Sequence, residues 1–338
     1  MLIQENVSLL PYNTFGFDVK ARYFASITTA AQLQDLLLDP RWASAPKWVL
    51  GGGSNVLLTK DINALVLRIE IDGIKVVSEE DNELSIKVGA GEKWHEFVLY
   101  CVENSYAGVE NLSLIPGTVG AAPMQNIGAY GVEIKDIFQE LEAVDVQSGT
   151  TRRFNASECG FGYRESVFKR ALKDQYIITS VTFRLQKTPD FHVSYGDIQK
   201  TLEEMKVEKL SIKAVSDAVI QIRQNKLPDP AQIGNAGSFF KNPEISKQQF
   251  DALKEKYPAL PGYVMNADTM KVPAGWLIEQ AGWKGYREGA VGVHARQALV
   301  LVHYGGGTGD EIKVLSQKVQ ASVEAAYGIR LTAEVNFA

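Results

Sequence analysis

From Asn111 to Gly131 the chain carries no charged side chain, and Gly117, Gly120, Gly128 and Gly131 punctuate the run together with Pro116 and Pro123. Such a segment is too broken to be an ordinary helix or strand and too long to be an ordinary connector. Two outcomes fit it. It can pack as a buried connector, or its small residues can let a flat ligand lie directly against backbone.

The rest of the composition narrows the setting. At 338 residues the chain exceeds one compact core, so two or three domains are expected. Apolar residues at 45% and charged residues at 22% suit a soluble globular protein. A net charge of −5 argues against a nucleic-acid partner, which calls for basic excess. Cys101 and Cys159 are too few and too far apart for a disulfide framework or a cysteine zinc site, which points to a reducing cytoplasm. The four histidines lack metal-ligand spacing, so no metal is expected. No signal peptide and no membrane-spanning run are read in the chain.

Periodicity predicts half-buried strands at Leu65–Ile71 and Leu84–Val88, and a helix from Trp94 to Asn104 with Trp94, Phe97, Val98 and Cys101 on one face. A hairpin is expected around Gln147–Thr150, and a long helix from Asp310 to Tyr327 with Gly328 as its C-cap. The chain should close on a strand from Arg330 to Phe337. Strands and helices do not alternate cleanly, so the class is α+β rather than a doubly wound sheet.

Four places could carry chemistry. Gly51, Gly52, Gly53, Ser54 and Asn55 join two strand-like runs, either as a nest of amides for a phosphate or as a tight hairpin turn. The spacing is not that of a dinucleotide fingerprint, and the P-loop lysine is missing. Arg164, among Phe161, Gly162 and Tyr163, offers a fork for a carboxylate or phosphate, or simply stacks on a tyrosine. Ser238, in Gly237-Ser238-Phe239-Phe240, is either functional or a capping or turn hydroxyl; Lys226 and Asn242 nearby in sequence would suit an anionic substrate. No hydrolase nucleophile elbow surrounds it. Glu334 falls on the polar side of the last expected strand, where a solvent-facing role is the plain alternative.

Taken in order, Asn13-Thr14-Phe15-Gly16, Gly51-Gly52-Gly53-Ser54-Asn55, Ile115-Pro116-Gly117, Asn126-Ile127-Gly128-Ala129-Tyr130-Gly131, Phe161-Gly162-Tyr163-Arg164, Gly237-Ser238-Phe239-Phe240-Lys241-Asn242-Pro243 and Glu334 resemble the UDP-N-acetylenolpyruvoylglucosamine reductases over essentially the whole chain. Tyr263 matches the substrate-capping loop of one subtype. The resemblance implies the FAD-binding fold of the vanillyl-alcohol oxidase and p-cresol methylhydroxylase type, with a third, substrate-binding domain. It implies residues 1–72 plus 328–338 as a first FAD-binding subdomain, 73–227 as a second (FAD-binding region about 17–188), and 228–327 as the substrate domain.

The same resemblance implies non-covalent FAD, NADPH as co-substrate and an enolpyruvyl ether of a UDP-amino sugar as substrate, in peptidoglycan precursor synthesis by a monomer. No His or Cys lies in the 51–55 turn or the 111–131 loop to link a flavin. Flavin contacts fall on Gly51 to Asn55, Ile115, Pro116, Gly117, Ala122, Pro123, Asn126 and Gly128. Substrate contacts fall on Tyr130, Tyr195, Lys226, Asn242, Tyr263 and Gln297. Arg164 would grip the substrate carboxylate as charge builds on it. Glu334 would donate a hydrogen bond as a neutral acid or orient Arg164, and Ser238 would deliver a proton. Ala121-Ala122, where some relatives have serines, leaves the flavin to backbone amides, and Asn336 replaces an arginine of at least one relative. A flavin oxidase of the same fold and a non-catalytic nucleotide-sugar binder are the competing readings.

Overall fold

The structure, a computed structural model, describes residues 2–338. It consists of two compact units: residues up to Val7, Lys20–Gly53 and Ile62–Asn225 form the first, and Ser8–Val19, Ser54–Asp61 and Lys226–Ala338 the second. The division runs through the glycine-rich turn, between Gly53 and Ser54.

The first unit holds two sheets. One has the order Gln4–Ser8, Lys20–Ile27, Ile62–Ile69, Lys47–Leu50, with the last three strands parallel. The other is antiparallel, in the order Thr151–Asn155, Phe138–Asp145, Tyr176–Gln186, Glu83–Gly89, Ile74–Glu79. The expected hairpin is present at its edge, where Val144 faces Thr151.

Two strands depart from the expected alternation. Leu65, Val66 and Leu67 are all buried, because Ile62–Ile69 is paired on both edges and covered on both faces. Leu84, Ser85 and Ile86 are likewise buried in succession. Period two reports a sheet with one wet face: Ile62–Ile69 has none, whereas Glu83–Gly89 keeps a polar face on which Lys87 is half-exposed and Ser85 is buried beside Gln139.

The helix Trp94–Glu103 forms as expected, and Trp94, Phe97, Val98 and Cys101 are its buried face. Trp94, Phe97 and Phe183 make an aromatic triad with centroids 5.1–5.7 Å apart. Burying each such side chain fully contributes about 1.5–3 kcal/mol, so the start of this helix is firmly seated. That matters because the uncharged loop runs along it. The loop itself is ordered as short 3-10 turns, Glu110–Leu112, Val119–Ala121 and Pro123–Gln125, followed by a tiny hairpin of Gly128–Ala129 and Val132–Glu133.

In the second unit an antiparallel sheet runs Gly234–Ser238, Val300–His303, Val291–Val293, Arg287–Glu288. A smaller sheet joins Glu244–Ser246, Thr269–Lys271 and Tyr263–Val264. The helix Gly309–Tyr327 is closed at its start by a capping box between Thr308 and Glu311 and at its end by Gly328 at φ +63°.

The closing strand is much shorter than expected. Only Asn336–Phe337 pairs regularly, in parallel with Val56–Leu57. Leu331 and Val335 are buried, but Phe337 is exposed and Glu334 half-buried, so a single apolar face from Leu331 to Phe337 does not form. A lone bridge, Phe240 to Ala333, takes the place of a ladder there.

Candidate active site

Strands Lys47–Leu50 and Val56–Leu57 are not partners of one another: the first pairs with Ile62–Ile69 and the second with Asn336–Phe337. The turn between them is therefore no hairpin. In the first unit its Gly51 and Gly52 lie against the uncharged loop. A Cβ on Gly52 would come within 2.8 Å of Gly117 Cα, and one on Gly51 within 2.8 Å of Thr118 Oγ1. At Gly52, where the neighbour is backbone, only glycine permits that approach. Gly53, at φ +62°, turns the chain onward. Among the described residues no hydrogen bond engages the amides of Gly52 or Ser54.

These observations fit a dinucleotide flavin. Both segments offer uncharged backbone N–H groups, and neither holds a carboxylate. Gly51 and Gly52 are thus drawn together with Gly117 and Thr118 in this unit. Further along, Ala122 and Pro123 are buried, and Asn126 is spent on structure: its amide donates to Glu133 Oε2 at 2.9 Å and Gly162 O at 3.0 Å.

Arg164 lies beside the same loop. Its Nη2 donates to Gly128 O at 2.7 Å, and its guanidinium carbon is 5.8 Å from the Tyr163 ring centroid. Stacking and anchoring thus coexist. Arg164 has φ +52°, Tyr130 +50°, Asn126 +43° and Leu114 +58°. A left-handed residue with a side chain is held at a cost of roughly 1–2 kcal/mol. Four of the eight such non-glycine residues lie in the two segments 111–131 and 161–164. Tyr130 and Tyr195 come together: Gly131 packs on the Tyr195 side chain and Gly196 on the Tyr130 ring. Tyr195 is exposed, in a turn that no strand leads into.

In the second unit Ser238 is not a turn residue but the end of a strand, paired with Val300 after a bulge made by Gly237 at φ +68°. From there Phe239 O accepts from Glu334 N at 2.8 Å, and Lys241 N donates to Thr332 O at 2.9 Å. Glu334 thereby runs alongside the residues that follow Ser238. Asn55 joins them, with Nδ2 on Glu334 O at 3.3 Å, while Asn336 returns its backbone and side-chain N–H groups to Asn55 O at 3.1 and 3.0 Å. Asn336 thus acts here as a structural clip.

Asn242 and Gln297 converge on the start of the helix Ala274–Gln280. Asn242 Oδ1 accepts from Ala274 N at 2.9 Å, and Gln297 Oε1 lies 3.3 Å from where a Gly275 Cβ would stand. Lys226 and Tyr263 are exposed.

Three residues near the loop escaped the sequence reading. His95 Nδ1 accepts from Leu114 N at 2.9 Å, Arg223 Nε donates to Leu114 O at 3.3 Å, and Asn111 Nδ2 donates to Tyr130 O and His192 O at 3.0 and 2.7 Å. Each acts on backbone far away in sequence, which leaves no motif. Burial lowers the pKa of His95, and the Arg223 charge lowers it further; burial likewise lowers that of Arg223.

Residues 21–155 match the FAD binding domain, and residues 229–338 match the C-terminal domain of UDP-N-acetylenolpyruvoylglucosamine reductase. The molecule is accordingly an FAD-dependent oxidoreductase with an FAD-binding fold and an additional C-terminal domain. Relatives bearing the name UDP-N-acetylenolpyruvoylglucosamine reductase are 52% identical in Amoebophilus asiaticus, over 99% of both chains, and 48% identical in Pseudomonas aeruginosa, over 99% of this chain and 98% of that one. The chain belongs to the UDP-N-acetylenolpyruvoylglucosamine reductase family. The crystal structure of the Thermus caldophilus reductase shares the fold, at a TM-score of 0.70 and 24% identity over 99% of both chains.

Proposed function

We propose that this chain reduces UDP-N-acetylglucosamine enolpyruvate to UDP-N-acetylmuramate with NADPH, for peptidoglycan precursor synthesis, and that Arg164, Ser238 and Glu334 carry the chemistry. The observation that carries the reading is the left-handed backbone at Tyr130 and Arg164, with Arg164 anchored on Gly128 O, which supports the role of Arg164. Strain of this kind persists where surrounding contacts hold a geometry for use.

FAD, when bound, would supply hydride from NADPH for reduction of the enolpyruvyl double bond. The protein's part is electrostatic and acid–base. Arg164, held by its bond to Gly128, presents its fork to the substrate carboxylate, where negative charge grows. Ser238 delivers a proton to the adjacent carbon; a neutral donor avoids burying a second charge. Glu334, fixed through its amide to Phe239 O, sets the polarity beside that hydroxyl. Gly51 to Asn55, Ile115, Pro116, Gly117, Ala122, Pro123, Asn126 and Gly128 hold the flavin, mostly by backbone. Tyr130, Tyr195, Lys226, Asn242, Tyr263 and Gln297 hold the UDP-sugar, with Lys226 suited to the diphosphate.

The three-part division is kept as part of the proposal: the mostly parallel sheet as the core of residues 1–72, the antiparallel sheet as that of 73–227, and the substrate domain from 228 to 327. A cytoplasmic location fits the two buried, unbridged cysteines, and a monomer is kept as part of the proposal. No helix of the described residues is long and apolar enough to cross a membrane.

Anaerobic rapid mixing tests the reading. NADPH alone should bleach the flavin band, and the enolpyruvyl substrate should restore it faster than oxygen does. Faster return with oxygen would favour an oxidase. Acid precipitation should leave all the yellow colour in the supernatant, since no linking side chain stands in the contact segments.

A further inference from the structure

The uncharged loop is tied to the first turn of the helix Trp94–Glu103 at three points. Trp94 N, a helix-start amide with no partner inside the helix, donates to Gly117 O at 3.0 Å. Trp94 Nε1 donates to Leu112 O at 3.0 Å. Between them Leu114 N donates to His95 Nδ1 at 2.9 Å. Leu114 is left-handed at φ +58°, a conformation leucine does not choose for itself, so its partners must hold it there. Arg223 Nε fixes the other end of the residue through Leu114 O at 3.3 Å.

Among these partners only the imidazole titrates near neutral pH. To accept at Nδ1 the ring must be neutral with its proton on Nε2, and a second proton would turn the acceptor into a donor facing a donor. The charged groups facing the ring are Arg223, which opposes protonation, and Glu96 of its own helix, which favours it while engaged by Lys93 Nζ at 3.0 Å. Glu110, on the turn packed against this helix, gives its carboxylate to Gly108 N at 2.7 Å and bears on Cys101 instead.

We propose that His95 is a positioning residue for the flavin: its neutral ring pins Leu114 and so sets the backbone of Ile115, Pro116 and Gly117 for FAD. The inference rests on the proposed contact of residues 115–117 with the flavin. The direction of its pH dependence follows. In a released loop His95 titrates near its ordinary value of about 6.5, and in the pinned loop lower, since burial and Arg223 disfavour the imidazolium. Acid therefore favours release. FAD retention is full above the ordinary imidazole range, falls as pH drops through it, and levels off below the depressed value.

The experiment follows FAD release from the diluted holoenzyme by the rise in flavin fluorescence between about pH 5 and 8, a window that brackets the imidazole range. The wild type should release more FAD as pH falls. His95→Asn, whose Oδ1 can take the place of Nδ1 and does not titrate, should retain FAD as the wild type does at the alkaline end and lose this pH step. His95→Ala should hold FAD about three- to tenfold less tightly at the alkaline end, the usual worth of one net hydrogen bond. The same acid step in His95→Asn overturns the proposal. So does wild-type retention in His95→Ala when Gly117→Ala loses FAD, because the loop is then at the flavin without needing the pin. If both variants retain FAD normally, the contact of residues 115–117 with the flavin falls, and the inference with it.

Discussion

The glycine turn and uncharged loop of the first unit differ in kind from the Gly237–Asn242 segment and Glu334 of the second. In the first, Gly52 works by lacking a side chain, so its backbone approaches that of Gly117 at a distance that a Cβ would forbid. In the second, the backbone is a strand with one bulge at Gly237 and a bridge, and the proposed chemistry rests on one hydroxyl and one carboxyl. A region that binds by backbone is damaged by adding atoms, and one that acts by side chain by removing them. The two should therefore fail in opposite ways.

Ser238→Ala tests the side-chain region most severely. FAD content and bleaching by NADPH should stay near wild type, while reoxidation by the enolpyruvyl substrate slows about 10²–10⁴-fold, the usual contribution of a general acid. Ser238→Cys should recover part of the loss. Turnover of Ser238→Ala at the wild-type rate would return the residue to a strand-end hydroxyl.

Arg164→Ala is the exception that sharpens the contrast, a working side chain planted in the backbone-built unit. Reoxidation should slow roughly 10²–10³-fold, as for loss of a donor to developing charge, with NADPH bleaching little changed. Equal damage to both steps would mean that Arg164 serves the fold around Gly128 instead.

Gly52→Ala reverses the pattern. Its Cβ meets Gly117 backbone at 2.8 Å, which cannot swing aside as a side-chain end can. Overpacking of this kind costs about 1–3 kcal/mol, so FAD affinity should fall roughly tenfold or more while reoxidation of the molecules that keep FAD is unaffected. Undiminished flavin content after purification and dilution would contradict the backbone-built reading. The smallest effect belongs to Tyr263→Ala, in the exposed Tyr263–Val264 strand: KM for the UDP-sugar should rise about threefold to tenfold, the worth of one net hydrogen bond, with kcat nearly unchanged.

How much of this was legible beforehand depended on the range of the forces involved. The Trp94 helix, the Gln147–Thr150 hairpin and the Gly328 cap were readable because local periodicity, turn chemistry and capping specify them within a few residues. The strand Ile62–Ile69 was misjudged as half-wet because its burial depends on what covers its second face. The closing segment was misjudged because its partners, Phe240 and Val56–Leu57, lie far back along the chain and meet it only after folding. Ser238 looked like a turn because the bulge at Gly237 needs Val300 opposite before it is one.

By itself, then, the sequence determined the family and the cofactor class, and it marked the segments to which function is proposed, since ordered runs such as Gly51–Asn55 and Gly237–Pro243 are local statements in residue type. Only the tertiary structure decided that Gly52 abuts Gly117, that Asn336 clips Asn55, and that His95 and Arg223 hold a strained Leu114 from opposite ends. Hydrogen bonds from side chain to distant backbone leave no pattern along the chain, because a carbonyl or an amide is the same at every residue and only folding selects which one is met.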